Sequence, residues 1–343
     1  MSKFTKAFLF ASIIFAPFAA NAVTVASWGG AYTESQQKAY ADTYSDPGSI
    51  VFENYNGGLG EVRAQVESGS VTWDLVDVLP SDAITGCDEG LFEDISSEIA
   101  SMGVPGPNGE SIAEDMENNG LEYHSGWDCC VPQIFWTYVV FYDPDAFPGE
   151  KPDSMADFFD TEKFPGKRGI HTWATGIIEK AMVADGVKPT AVPTVLANQT
   201  GAIDRAFEVM DRIKDDVVFW SAGSQPLELI KSGEVVMAVA YNGRVGAANL
   251  AEGENFEYIW EGQVLDQEYL CLTAGAPNRD AALDFMMHAS TPEAQAEQAK
   301  YITYGPMRAS GIPIIQNNEP CLLYTSDAAD DLLCVDLGGR RII

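Results

Sequence analysis

Short apolar runs rich in β-branched residues recur along the chain, and each is followed by a polar or glycine-bearing turn and then by helical periodicity. Val23–Ser27 leads through Trp28, Gly29, Gly30, Ala31 and Tyr32 into Thr33, Glu34, Ser35 and Gln36. That Thr-x-x-Gln spacing predicts a capping box opening a helix that runs to about Tyr44. Trp73–Leu79 predicts a buried strand, Pro80, Ser81 and Asp82 its turn and cap, and a short helix then ends near Gly86 to Gly90. Further units are Gly169–His171 with a helix over 176–184, Val217–Trp220 with a helix over 226–231, and Val235–Ala240 with a helix after Asn242 and Gly243. Such alternation predicts α/β architecture.

In open α/β sheets ligands bind beyond the carboxyl ends of the strands. Those ends here carry Trp28, Ser81 and Asp82, His171 and Trp173, Trp220 and Ser221, and Tyr241. Loops are mostly polar, so large aromatics at four strand ends predict a shared aromatic-lined cleft. Asp266 and Glu268, two apart in an extended stretch, project to one side, where their mutual repulsion invites a cation. Aromatic faces attract cations by about 0.5–2 kcal/mol, whereas helix starts near Thr33, Ser81 and Gln225 favour anions. A zwitterion satisfies both.

Composition narrows the classes. The 343 residues carry 20 Lys and Arg against 51 Asp and Glu, a net charge of -31, with 46% hydrophobic residues. That length suits two domains. So acidic a chain offers no footprint for nucleic acid or anionic lipid. Residues 1–22 combine Lys3 and Lys6, an apolar run from Ala7 to Phe18, and Ala20-Asn21-Ala22, which predicts a secretory signal cut after Ala22 and a periplasmic protein without membrane insertion. Residues 321–343 look like translated sequencing-adapter DNA, read as an artefact replacing the native C-terminus. The ends carry +2 and -2, so residues 23–320 hold the whole -31.

Cys87, Cys129, Cys130 and Cys271 show no metal-binding or thioredoxin spacing. In an oxidising compartment a single bridge from Cys87 to Cys129 or Cys130 is expected, with one of the adjacent pair left free. No cofactor motif is present. A secreted hydrolase would need a nucleophile and base, yet G-x-S-x-G and H-E-x-x-H are missing and the histidines are only His124, His171 and His288.

From Val23 to Pro320 the chain resembles the spermidine/putrescine-type substrate-binding proteins of bacterial ABC importers. Trp28 to Tyr32, Trp73 to Asp77, Phe158 to Arg168, Gly233 to Gly243, and Tyr304 to Pro306 carry the likeness. It implies a two-lobed periplasmic-binding-protein fold of type II-like form, with a ligand cleft between lobes. Lobe 1 would comprise 23–137 plus 263–300, and lobe 2 138–262 plus 301–320, with crossings near Thr137, Gly262 and Tyr301. It also implies a monomer that captures a small, polyamine-like amine by hinge closure and hands it to a membrane permease, without catalysis.

Position by position, the resemblance makes Trp28 and Tyr32 first-lobe aromatics, Ser81 and Asp82 polar contacts, and Ser221 a contact on the facing lobe. Tyr241 replaces a family Trp, Glu268 stands where an Asp holds an amine, and Tyr304 where a Tyr sits near the hinge. The polyamine binders' further carboxylates are missing from His171 to Gly176, which would leave one ammonium of a long diamine poorly paired. Ferric-ion clamps share this general fold and use tyrosinates, so Tyr301 and Tyr304 with Asp266 and Glu268 form the alternative.

Overall fold

The computed structural model describes residues 22–121 and 128–316. The signal segment as far as residue 21, His124 and the adapter-like tail lie outside the described residues. The strands are β1 (Val23–Ser27), β2 (Ile50–Asn54), β3 (Leu75–Val78), β4 (Cys130–Tyr142), β5 (Arg168–His171), β6 (Val217–Trp220), β7 (Met237–Tyr241), β8 (Glu257–Leu272) and β9 (Gly305–Pro306). They form one mixed sheet in the order β2-β1-β3-β8-β4-β7-β5-β6, with β9 beside β4. The short strands are parallel within each half, β2-β1-β3 and β7-β5-β6. β4 and β8 join the halves as a long antiparallel pair.

Each half buries both sheet faces, as parallel strands flanked by helices must. Alternate residues go to opposite sides. In the first half Val23, Val25, Leu75 and Leu270 pack on one face, and Ala26, Val76, Val78 and Tyr269 on the other. In the second, Tyr138, Val140, Ile170 and Val239 oppose Phe141, Ala238 and Ala240. Where β4 passes from one half to the other its register with β8 breaks between Tyr138 and Val140. The facing segment of β8 contains Gly262 at φ 67°, a left-handed conformation that only glycine adopts freely.

Several sequence expectations need correction. The first helix starts at Gly30, not Thr33, and gives way after Gln36 to a π-type turn ending at Ala41. Instead of capping a helix, the Thr33 hydroxyl accepts from the Gly29 N–H at 2.9 Å and donates to Ser27 Oγ at 2.9 Å, pinning the strand end to the helix. No cysteine among the described residues is free: Cys87 bonds Cys129 and Cys130 bonds Cys271. Cys129 lies just before β4, whereas Cys130 is its first residue and stands opposite Cys271 in the β4–β8 register. Tyr301 and Tyr304 do not share a helical face, because the preceding helix ends at Gln298.

Among the described residues no helix is long and apolar enough to cross a membrane.

Candidate functional site

The carboxyl ends of β1, β2, β5, β6 and β7 point toward one another across the central strands and enclose a small cavity. Trp28, Tyr32, Trp173, Ser221, Tyr241, Glu268 and Tyr304 all line it. Of the other sequence candidates, Ser81 is exposed and Asp82 half-buried at the start of the helix Pro80–Asp88, and neither reaches the lining. Asp82 accepts from the Gly58 backbone, while burial pushes its pKa upward. Asp266, also outside the lining, turns its carboxylate onto the Gln267 N–H at 2.8 Å, and burial raises it to about 6. Trp220 is 2% exposed and lies beneath the wall, 4.3 Å from His171 and 5.9 Å from Tyr241 between ring centroids. It supports lining residues from behind.

One end of the cavity is acidic. β8 carries Glu268 inward at 3% exposure, and its Oε1 accepts from Trp28 Nε1 at 2.7 Å. Burial, and then the Asp77 charge, raise its pKa well above the carboxylate range, while the Trp28 bond pulls it back. Aromatic rings flank that carboxylate: Trp28 packs on Tyr55 at 5.0 Å and meets Trp173 edge-on at 6.4 Å. On the facing wall Trp136 and Tyr241 form an edge-to-face pair at 4.9 Å. Rings in these orientations present electron-rich faces to a cation.

The other end is basic. Arg244, in the helix Asn242–Ala247 directly after β7, is 5% exposed. Its guanidinium donates to the carbonyls of Gly29 at 3.0 Å and Trp28 at 3.1 Å, and its Nε is buried without a partner. Glycines on both sides make this possible. A Cβ at Gly223 would stand 2.7 Å from Arg244 Nε, and one at Gly30, where φ is 55°, 3.0 Å from a terminal nitrogen. A buried N–H left unpaired costs about 1–3 kcal/mol.

His171 lines the wall between these ends. Its Nδ1 accepts from the Trp173 N–H at 2.9 Å, and burial lowers its pKa to about 4, so the ring is neutral and carries its proton on Nε2. Glu179 faces no ligand space; it caps its helix by accepting from the Gly176 N–H at 2.7 Å. Tyr301 and Tyr304 diverge, the first being 38% exposed with its hydroxyl on Glu297, the second buried in the cavity. Among the described residues no three His, Cys, Asp or Glu side chains are grouped to hold a metal.

Residues 32–318 match the family described as bacterial extracellular solute-binding protein. The chain belongs to that family. This solute-binding protein is 36% identical over 310 residues to the gamma-aminobutyric acid-binding protein of Pseudomonas aeruginosa, covering 90% of this chain and 83% of the relative. A solved structure named as the Atu4243-GABA receptor superposes with a TM-score of 0.67 at 31% identity, covering 86% of this chain and 85% of that one. AgtB of A. tumefaciens R10 in complex with agropinic acid superposes at 0.70 with 29% identity, covering 87% of each. These relatives are named for what they bind.

Sequence reasoning about the solute-binding protein missed Arg244, Trp136 and Tyr55. Arg244 was hidden in a helix reading, although its place three residues past a strand end, behind Asn242 and Gly243, was a usable signal. Trp136 lies on β4, a strand left unread because it alternates little where both faces are buried.

Proposed function

We propose that this protein captures a short ω-amino acid of the γ-aminobutyric acid (GABA) class in the periplasm and delivers it to an ABC permease. The ligand's ammonium docks on Glu268 among Trp28, Trp173 and Tyr241, and its carboxylate on the free edge of Arg244, with Ser221 and Tyr304 beside it. The observation that carries this reading is that Arg244, whose Nε has no partner, lines the same cavity as Glu268. A carboxylate satisfies that donor with a charge-assisted bond. A second ammonium would meet the guanidinium instead, so a diamine is disfavoured by like charge. Two relatives named for GABA support the same ligand class.

Capture works by hinge closure. Lobe 1 comprises residues 23–137 plus 263–300, lobe 2 residues 138–262 plus 301–320, and the chain crosses between them near Thr137, Gly262 and Tyr301. On that division Arg244 of lobe 2 grips the Trp28 and Gly29 carbonyls of lobe 1, and Glu268 of lobe 1 faces Tyr241 of lobe 2. A ligand touching both lobes stabilises the closed form by its preference for it.

Titration calorimetry with GABA, shorter and longer ω-amino acids, putrescine and spermidine tests this. GABA-length ligands should bind at least tenfold more tightly than putrescine. Putrescine binding more tightly than GABA, or no ω-amino acid binding at all, would overturn it.

A further inference from the structure

At the amine end of the cavity stand two carboxylates, Glu268 in the lining and Asp77 behind it, and among the described residues no cation is bonded to either. Asp77 is fully buried and Glu268 is 3% exposed. In the β3–β8 ladder Asp77 pairs with Leu270. Glu268, two residues from Leu270, shares its sheet face, which makes the acids diagonal neighbours at roughly 7–8 Å. The side-chain donors on Asp77 are neutral: the Ser27 hydroxyl, Gln36 Nε2 at 2.9 and 3.1 Å, and Gln133 Nε2 at 2.7 Å. The donor on Glu268, the Trp28 indole, is neutral too.

The surroundings add little positive charge. Asp82 and Asp266 contribute further negative potential at Glu268. The phenols of Tyr32, Tyr40, Tyr55, Tyr241 and Tyr304 all titrate above their ordinary range, mainly from burial, and stay neutral. Arg244 bonds the Trp28 and Gly29 carbonyls and Tyr304, and neither of these carboxylates. His171 is neutral, and Lys180 lies behind Tyr138, donating to its carbonyl at 2.7 Å. Two buried anions side by side without a bonded cation are unfavourable. Burial accordingly raises Asp77 to about 7, against the pull of its hydrogen bonds, and Glu268 rises with it.

We propose that the amine subsite exchanges a proton for its ligand: in the empty protein Asp77 and Glu268 together hold a proton, and an ammonium group docking on Glu268 expels it. The carboxylic O–H bond breaks, the proton leaves to water, and an ammonium N–H takes its place on the carboxylate oxygen. No electrons are transferred. Asp77, which the ligand does not touch, is thereby a positioning residue that sets the charge of the subsite. Because binding releases a proton, affinity rises with pH by up to about tenfold per unit until the pair is ionised, and is flat beyond. The inference rests on Glu268 holding the ligand's amine.

The test is calorimetry of GABA binding at about pH 6 in two buffers of different ionisation enthalpy, since the slope of observed against buffer enthalpy counts protons released. A slope approaching one proton is expected for the native protein, and a clearly smaller one for Asp77→Asn. A zero slope with intact binding overturns the exchange and leaves the amino-acid reading standing. Should GABA not bind, that reading falls, and infrared spectra of the empty native protein still decide the proton. A protonated-carboxyl band at about pH 6 that Glu268→Gln or Asp77→Asn weakens supports the shared proton; absence of such a band overturns it.

Discussion

The indole nitrogen of Trp28 donates to the carboxylate of Glu268 at 2.7 Å, although 240 residues separate them in sequence. The carbonyl of the same tryptophan accepts from Arg244 at 3.1 Å. Trp28 therefore bonds both the acidic and the basic side chain of the cavity lining.

Trp28→Phe keeps a ring against Tyr55 but removes the donor on Glu268. The buried carboxylate then lacks its neutral partner, at a cost of about 1–3 kcal/mol. An affinity loss for GABA of roughly 5- to 100-fold is expected by calorimetry. An unchanged Kd would show that the bond does not orient Glu268.

Arg244→Ala leaves a ligand carboxylate without its charge partner, which typically costs about 2–5 kcal/mol. GABA affinity should fall at least about 30-fold. Arg244→Lys should rescue it poorly, because an ammonium lacks the planar fork that now spans two carbonyls and the free Nε. Full activity of the lysine variant in a binding assay would contradict the assignment.

Arg308 and Asp115 form a fully buried ion pair at 2.5 Å, with Arg308 also donating to the Ser290 and Val104 carbonyls. Asp115→Ala strands the guanidinium, so destabilisation of about 3–5 kcal/mol is expected from urea unfolding. The pair lies outside the cavity lining, and ligand affinity of the folded fraction should stay within about twofold.

Lys180 is fully buried, and desolvation lowers its pKa from 10.5 to about 7. Below about pH 7 the folded and unfolded chains both hold the proton, and the penalty is constant. Between about 7 and 10.5 the unfolded chain holds more, so this residue makes stability rise with pH over that window. Lys180→Met should abolish that rise and add about 1–4 kcal/mol near pH 7, read from urea midpoints across a pH series.

Strand ends were legible because they obey local rules. Val217–Trp220 was read with its observed bounds, and the turns after β1, β5 and β7 carried the aromatics that now line one space. Glu268 was visible as an acid in an extended run beside aromatics elsewhere. The bridge from Cys87 was expected to end at Cys129 or Cys130, and it ends at Cys129; the second bridge was not legible, because Cys130 and Cys271 lie 141 residues apart and meet only through the β4–β8 register.

Sequence alone sufficed for the α/β alternation, the acidic surface and the wealth of aromatics at turns, since propensity and periodicity act within a few residues. The folded chain was needed to turn Arg244 into a buried donor between Gly30 and Gly223, to move Asp82 and Asp266 out of the lining, and to set Asp77 behind Glu268. Those outcomes depend on which strands lie side by side. A carboxylate's neighbours and its desolvation are properties of the sheet's register, and no local pattern in the sequence encodes them.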